Sequence, residues 1–181
     1  MIAIATEGIV LKTIRYDDTS EIITVLTRQL GIITIIYKPG KKSHYPPLFE
    51  GEFTLRKGKN FFYIVDVKQT FHHIEIRQSF DAIETAFKMI QYLLKTQLPL
   101  KAAPQLFGLF SGCLKKICHP GCSEKIEYLF LAKLLLHEGH LNENHPVLAP
   151  IAKIRSFQQI DTIEIGLEKK HLLTEIYNQI Y

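Results

Sequence analysis

Between Thr6 and Lys42 the chain passes through three short segments rich in β-branched residues, with only turn-forming residues between them. The first, Gly8 to Ile14, stops at the polar cluster Tyr16-Asp17-Asp18-Thr19-Ser20, whose short side chains favour a turn. The second, Glu21 to Arg28, sets Ile22, Thr24 and Leu26 on one face and Ile23, Val25 and Thr27 on the other. Gln29-Leu30-Gly31 reverses the chain, and a third segment, Ile32 to Lys38, ends at Pro39, which has no N–H for a ladder. Lys38, Lys41 and Lys42 follow within five residues, so a meander of strands brings three cations to one edge of a sheet. That edge reads as a phosphate-contacting surface.

Two more strands are expected. His44-Tyr45-Pro46-Pro47 is a stiff extended connector into Phe49–Arg56, where Phe53 and Leu55 alternate with Glu52 and Thr54. Lys57-Gly58-Lys59-Asn60 is a hairpin turn into Phe61–Lys68, which opens with Phe61, Phe62 and Tyr63. Five short strands with glycine-containing turns describe a small β-barrel, and equally an SH3-like barrel or an open sandwich. From Ser79 the period changes. A helix with an Asp81–Glu84 capping box is expected to show Ile83, Phe87, Ile90 and Leu94 on its apolar side. Pro104 opens a second helix striped by Leu106, Leu109, Phe110, Cys113, Leu114 and Ile117. Ser123 caps a third, reaching His137 and apolar nearly all round, which suits the middle of a bundle. A loop with a short helix near Pro150–Phe157 and a last amphipathic helix, Glu168–Tyr181, complete the chain. The expected class is α+β: a barrel over residues 1–78, then a helical domain over 79–181.

The chain has 181 residues and a net charge of +4, mildly basic, with 11 Lys/Arg against 8 Asp/Glu up to Phe80 and 11 against 10 beyond. Such a balance permits nucleic-acid binding without requiring it. No apolar run approaches a membrane span, and the first residues lack the basic region of a signal peptide, so a cytoplasmic protein is expected. No membrane partner is expected. Three cysteines in such a chain argue against a disulfide framework.

Thr6-Glu7-Gly8-Ile9-Val10-Leu11-Lys12-Thr13, the acidic Ser/Thr turn, Ile22-Ile23-Thr24-Val25-Leu26-Thr27-Arg28, Leu30-Gly31 and the basic Lys-Pro-Gly-Lys-Lys segment together resemble the RecO family of bacterial recombination mediators. The resemblance is close over Thr6–Lys42, extends to Thr70, and is architectural in the helices. It implies an N-terminal five-stranded OB-fold that binds single- and double-stranded DNA, anneals complementary strands, and works with RecR and the single-strand-binding protein's C-terminal tail to load RecA. It implies no enzymatic turnover. Many members carry two Cys-x-x-Cys pairs for zinc in the helical part; this sequence has neither pair.

The candidate nucleic-acid residues are Lys38, Lys41 and Lys42 with Tyr37 beside them, and Lys57 and Lys59 on the second hairpin. Arg15 and Arg28 at strand ends extend the patch, and Lys12 stands mid-strand on the groove face. Lysine-rich hairpin tips also serve solubility and edge protection, which is the competing explanation. Among the aromatics, Phe62 is assigned to the core and Tyr63 is left open between stacking and packing. Cys113, Cys118, His119 and Cys122 bear zinc-competent side chains at a spacing unlike a known finger, and Cys113 falls on an apolar stripe, where a thiol is usually a small hydrophobe. No cofactor is therefore expected. His137-Glu138-Gly139-His140 reads as a helix exit, not a zincin site. No catalytic triad, phosphate loop or paired carboxylate site is found. A non-catalytic adaptor, with a degenerate barrel and partner tails docking on the helices, is the alternative reading.

Overall fold

A computed structural model describes residues 3–40, 44–71, 73–119, 121–162 and 164–181. The strands are β1 (Ala3–Arg15), β2 (Glu21–Thr27), β3 (Gly31–Tyr37), β4 (Glu50–Lys57) and β5 (Phe62–Phe71). The helices are α1 (Phe80–Thr96), α2 (Pro104–Lys116), α3 (Ser123–His137), α4 (Ala149–Ala152) and α5 (Leu167–Ile180), with 3-10 turns at Glu75–Gln78 and Phe157–Thr162. The α+β class is the expected one.

The strands close in the order β1-β2-β3-β5-β4, with β4 returning to β1. This is the five-stranded OB arrangement, in which every pairing is antiparallel except β3 with β5. Closure falls to β1, nearly twice the length the sequence pattern suggests. Ala3–Ile9 pair with β4 and Gly8–Arg15 with β2. A single strand serves two neighbours by bending, and the bend is a bulge between Val10 and Lys12, where Leu11 is the extra residue. Just there the loop before β4 substitutes for a strand: Val10 N–H donates to Phe49 O at 2.9 Å, and Leu48 N–H to Val10 O at 2.8 Å. The interior is filled by alternate residues of all five strands, among them Val10, Ile23, Val25, Ile33, Ile35, Phe53, Leu55 and Phe62. Phe62 is core, as expected.

Two compact units emerge. One holds the chain to His73 together with Gln97–Gly108; the other holds Ile74–Thr96 and Leu109–Tyr181. The simple division at residue 78 is thus revised. Gln97–Gly108 goes with the barrel because Pro99 bridges to Ile32, Leu100 N–H donates to Ile32 O at 3.0 Å, and Gly31 lies against the Lys101 backbone. The Phe107 ring is fully buried and carries the Arg28 guanidinium 4.7 Å from its centroid. At the unit's other margin, His73 Nε2 meets the buried Glu50 carboxylate at 2.8 Å with the Phe71 ring against it.

In the helical unit α3 is central, with Ile126, Leu129, Phe130, Leu131, Leu134 and Leu135 all buried. Its start differs from the expected cap: Cys122 is the cap position, and the Ser123 hydroxyl donates back to Ile117 O at 3.0 Å. For α1 the cap is Ser79, whose Oγ accepts from Ala82 N–H at 3.3 Å, in place of an Asp81–Glu84 box. The α1 stripe is also rotated. Ala82, Ala86, Met89, Ile90 and Leu93 face inward, while Phe87 and Leu94 are 41% and 39% exposed. Small side chains admit close helix packing, and the bulkier pair is left on the outer face. Glu127 is buried and anchors α1 to α3 by accepting from Tyr92 Oη at 3.0 Å and Lys88 Nζ at 3.3 Å. Among the described residues, no helix is long and apolar enough to cross a membrane.

Candidate nucleic-acid interface

Strand register decides which cations can act together. In one cross-strand row Arg15 pairs with Glu21 and Glu21 with Tyr37; in the next, Ile36 pairs with Tyr63 and Tyr63 with Arg56. The end of β3, the start of β2, the end of β4 and the start of β5 therefore meet at one mouth of the barrel. There a cleft of about 410 Å³ is lined by Ser20, Ile36, Tyr37, Lys38, Tyr45, Arg56, Tyr63 and Ile64. Lys38 and Arg56 are both exposed. Lys57 and Lys59 continue from Arg56 along the β4–β5 turn, also exposed.

The tyrosines are fixed before any ligand arrives. Tyr37 is only 8% exposed, and its hydroxyl donates to Glu21 Oε2 at 2.5 Å. Burial and that carboxylate push its pKa up. Its ring packs on Tyr45 at 5.0 Å, and the Tyr45 carbonyl accepts from Thr13 Oγ1 at 2.7 Å. Tyr45 is likewise pushed up, first by burial and then by the charge of Asp66. Tyr63, 39% exposed, lies under the Arg56 guanidinium, 5.5 Å from centroid to Cζ. A side chain at Gly58 would run into the Tyr63 ring, so the turn glycine is what lets that ring lie down.

Of the residues expected at the site, Tyr37 and Lys38 line the cleft, although the Tyr37 ring is wall and core more than a free stacking face. Arg15 stands at the same barrel end but is turned to its own hairpin, with Nε on Asp17 O at 3.3 Å and a guanidinium nitrogen 3.5 Å from Asp18. Lys12 is exposed in mid-strand beside the β1 bulge. Arg28 is not brought to this mouth. It follows β2 at the opposite end, ion-paired with Glu7 and stacked on Phe107. Lys41 and Lys42 lie outside the described residues. Sequence reasoning missed Arg56, read as an ordinary strand end, and Tyr45, read as part of a stiff connector. The signal available for Arg56 was the register of the hairpin, which sets it across from Tyr63.

Cys113 is fully enclosed in α2, and burial pushes its thiol well up. Among the described residues, no group of three or more His, Cys, Asp or Glu is placed to hold a metal ion.

Residues 1–71 match the family model described as Recombination protein O N terminal. The matched stretch is the barrel, and it covers β1 through the end of β5. Over residues 1–71 the chain is similar to the RecO family. Its relatives include a DNA repair protein RecO of Chlamydia muridarum, 41% identical over 70 residues, which are 39% of this chain and 30% of the relative. The protein of the same name from Chlamydia trachomatis serovar L2 is 42% identical over 67 residues, 37% of this chain and 28% of the relative. A longer match, to DNA repair protein RecO of Chlamydia pneumoniae, runs over 148 residues at 29% identity, 77% of this chain and 58% of the relative. The alignments thus span between about a quarter and three fifths of the relatives' length. The family model covers the barrel, and the 148-residue match necessarily extends past it into the helices.

Proposed function

We propose that this protein is a recombination mediator in DNA repair that binds single- and double-stranded DNA along the cationic mouth of its barrel. The observation that carries the reading is the convergence of Lys38, Arg56, Lys57 and Lys59 on one end of a RecO-type barrel, around a tyrosine-lined cleft. Phosphates are held by cations and bases by aromatic faces, and a groove offering both suits a strand more than a protein surface. By neutralising phosphates the protein lowers the repulsion between complementary strands and promotes annealing, with no covalent step, no metal and no nucleotide hydrolysis. Working in the cytoplasm at the nucleoid, it would act with RecR to help load RecA onto strands coated by single-strand-binding protein. In the helical unit, a small cavity of about 100 Å³ floored by Leu109, Leu129, Ile154 and Phe157, with Lys133 and Arg155 at its edge, is the place we assign to that protein's C-terminal tail. Its floor is apolar; at its rim Lys133 Nζ donates to Ala152 O and Arg155 is paired with Glu143 at 2.8 Å, so a tail carboxylate would take the place of Glu143.

The test is fluorescence anisotropy with a labelled oligonucleotide at two salt concentrations. Changing Lys38, Lys41 and Lys42 together to Ala is expected to weaken binding at least about tenfold and to flatten the log–log salt slope by roughly 2, at about 0.7 per lost phosphate contact on a single strand. Adding Arg56→Ala should flatten it further. Unchanged affinity and slope would place the interface elsewhere. Absence of any oligonucleotide binding by the unaltered protein would favour the adaptor reading instead.

A further inference from the structure

The cleft is built for more than phosphate. A path for a sugar–phosphate chain needs cations on an open surface, which Lys57 and Lys59 on their turn supply together with Lys38. The recess beside them is mostly non-polar: Ile36 and Ile64 together with the rings of Tyr37, Tyr45 and Tyr63, with the charges of Lys38 and Arg56 alongside. Lys38 and Arg56 can meet phosphates at its edge, but a phosphate set down among the isoleucines and tyrosine rings would lose hydration for little return, which is costly. A flat, uncharged ring loses little and gains contact with aromatic faces.

We propose that the cleft seats one unstacked base of a single strand, with Tyr63 and the guanidinium of Arg56 as the surface it lies against. This rests on the nucleic-acid reading above and narrows it. Three features carry it. The recess, at about 410 Å³, falls within the range of small-ligand sites and is wide enough for one base with room for its sugar at the rim. The rings are held in place: Tyr37 by Glu21, Tyr45 by Thr13 and by stacking on Tyr37, Tyr63 by Arg56 and by the bare backbone of Gly58. A preformed site spends little of its binding free energy on ordering. Finally, Tyr63 keeps substantial exposure where Tyr37 has almost none, so the β5 ring is the one with contact area left to offer. A base inside a duplex cannot reach the recess without being unpaired and unstacked, so the site favours single strands and frayed ends over intact duplex.

The experiment compares two oligonucleotides of equal length and charge, a thymidine 20-mer and the same backbone with abasic residues throughout its middle. The proteins are the unaltered chain, Tyr63→Leu, Tyr63→Phe and Lys38→Ala, each checked by circular dichroism and thermal melting. The unaltered protein is expected to bind the thymidine strand about tenfold more tightly than the abasic one, the scale of one stacked base. Tyr63→Leu should lose that advantage while binding the abasic strand as before, and Tyr63→Phe should keep it. Lys38→Ala should weaken both strands alike. The proposal is overturned if Tyr63→Leu keeps the preference for the thymidine strand, or weakens both strands equally. In either event a parallel loss with Lys38→Ala leaves the broader DNA-binding reading standing. If the unaltered protein binds neither strand, both readings fall together.

Discussion

Gly31 offers the sharpest test of how the barrel unit is assembled. It turns the chain from β2 into β3 at a φ of +71°, and a Cβ there would run into the carbonyl of Lys101. Replacing it with Ala carries two separable costs. Holding a non-glycine residue in the left-handed region costs roughly 1–2 kcal/mol. Relieving the collision requires the 97–101 backbone to withdraw, which gives up the Leu100 N–H to Ile32 O hydrogen bond, worth about 1 kcal/mol. Gly31→Ala should therefore cost about 2–3 kcal/mol. Gly139→Ala is the control: its φ is +80°, but nothing lies within 4 Å of the added carbon, so only the backbone cost remains. Urea-dependent hydrogen exchange read by mass spectrometry reports each compact unit through its own peptides and avoids assuming that the two unfold together. The Leu100 amide should also exchange faster in Gly31→Ala even without urea. Equal losses for the two variants, with Leu100 exchange unaltered, would refute the claim that Gln97–Gly108 is clamped to the barrel.

Two further outcomes follow from buried groups. Tyr37, Tyr45, Tyr92 and Tyr177 are all pushed above the ordinary 10.0, burial being the leading cause in each. Above pH 10 the unfolded chain releases these protons while the folded one keeps them, so stability should fall as pH rises past that point. Difference absorbance at 295 nm should show a group of tyrosines ionising only as the fold is lost; a single transition near 10 in the intact protein would contradict this. Thiol labelling should reach Cys118 and Cys122, which are partly exposed, while Cys113 reacts only after denaturation. Three labelled thiols in the native protein would show that α2 does not enclose Cys113 as described.

Much of the scaffold was legible because local signals agreed. The helix Ser123–His137 ends where expected and starts one residue early, at the expected cap, since Gly121 and Gly139 punctuate a segment rich in apolar residues. The five strands appear in order because each is bracketed by turn chemistry. What local patterns could not carry was anything decided by a distant neighbour. The length of β1 depends on its having two partners, which no window of its own sequence reveals. The phase of α1 was misread because Phe87 and Leu94 repeat as regularly as the smaller residues that turn inward. Glu127, in sequence one more acidic residue near a helix start, is buried because α1 supplies Tyr92 and Lys88. At the site, Tyr37 and Lys38 could be named from their place at a strand end. Arg56 and Tyr45 belong to segments that become neighbours only when the barrel closes.

That closure is uneven. β3 meets β5 through only two residue pairs, Ile35 with Phe62 and Ile36 with Tyr63, while every other seam is at least seven pairs long. A cylinder laced so lightly on one side will breathe there first, at the expense of a few hydrogen bonds and not of the whole fold. Ile36 and Tyr63 are also walls of the cleft, so a ligand resting against both side chains would act as a rivet across the weakest lacing. The cargo and the scaffold then steady one another: occupancy slows the breathing, and any change that tightens the seam prepares the molecule to hold on.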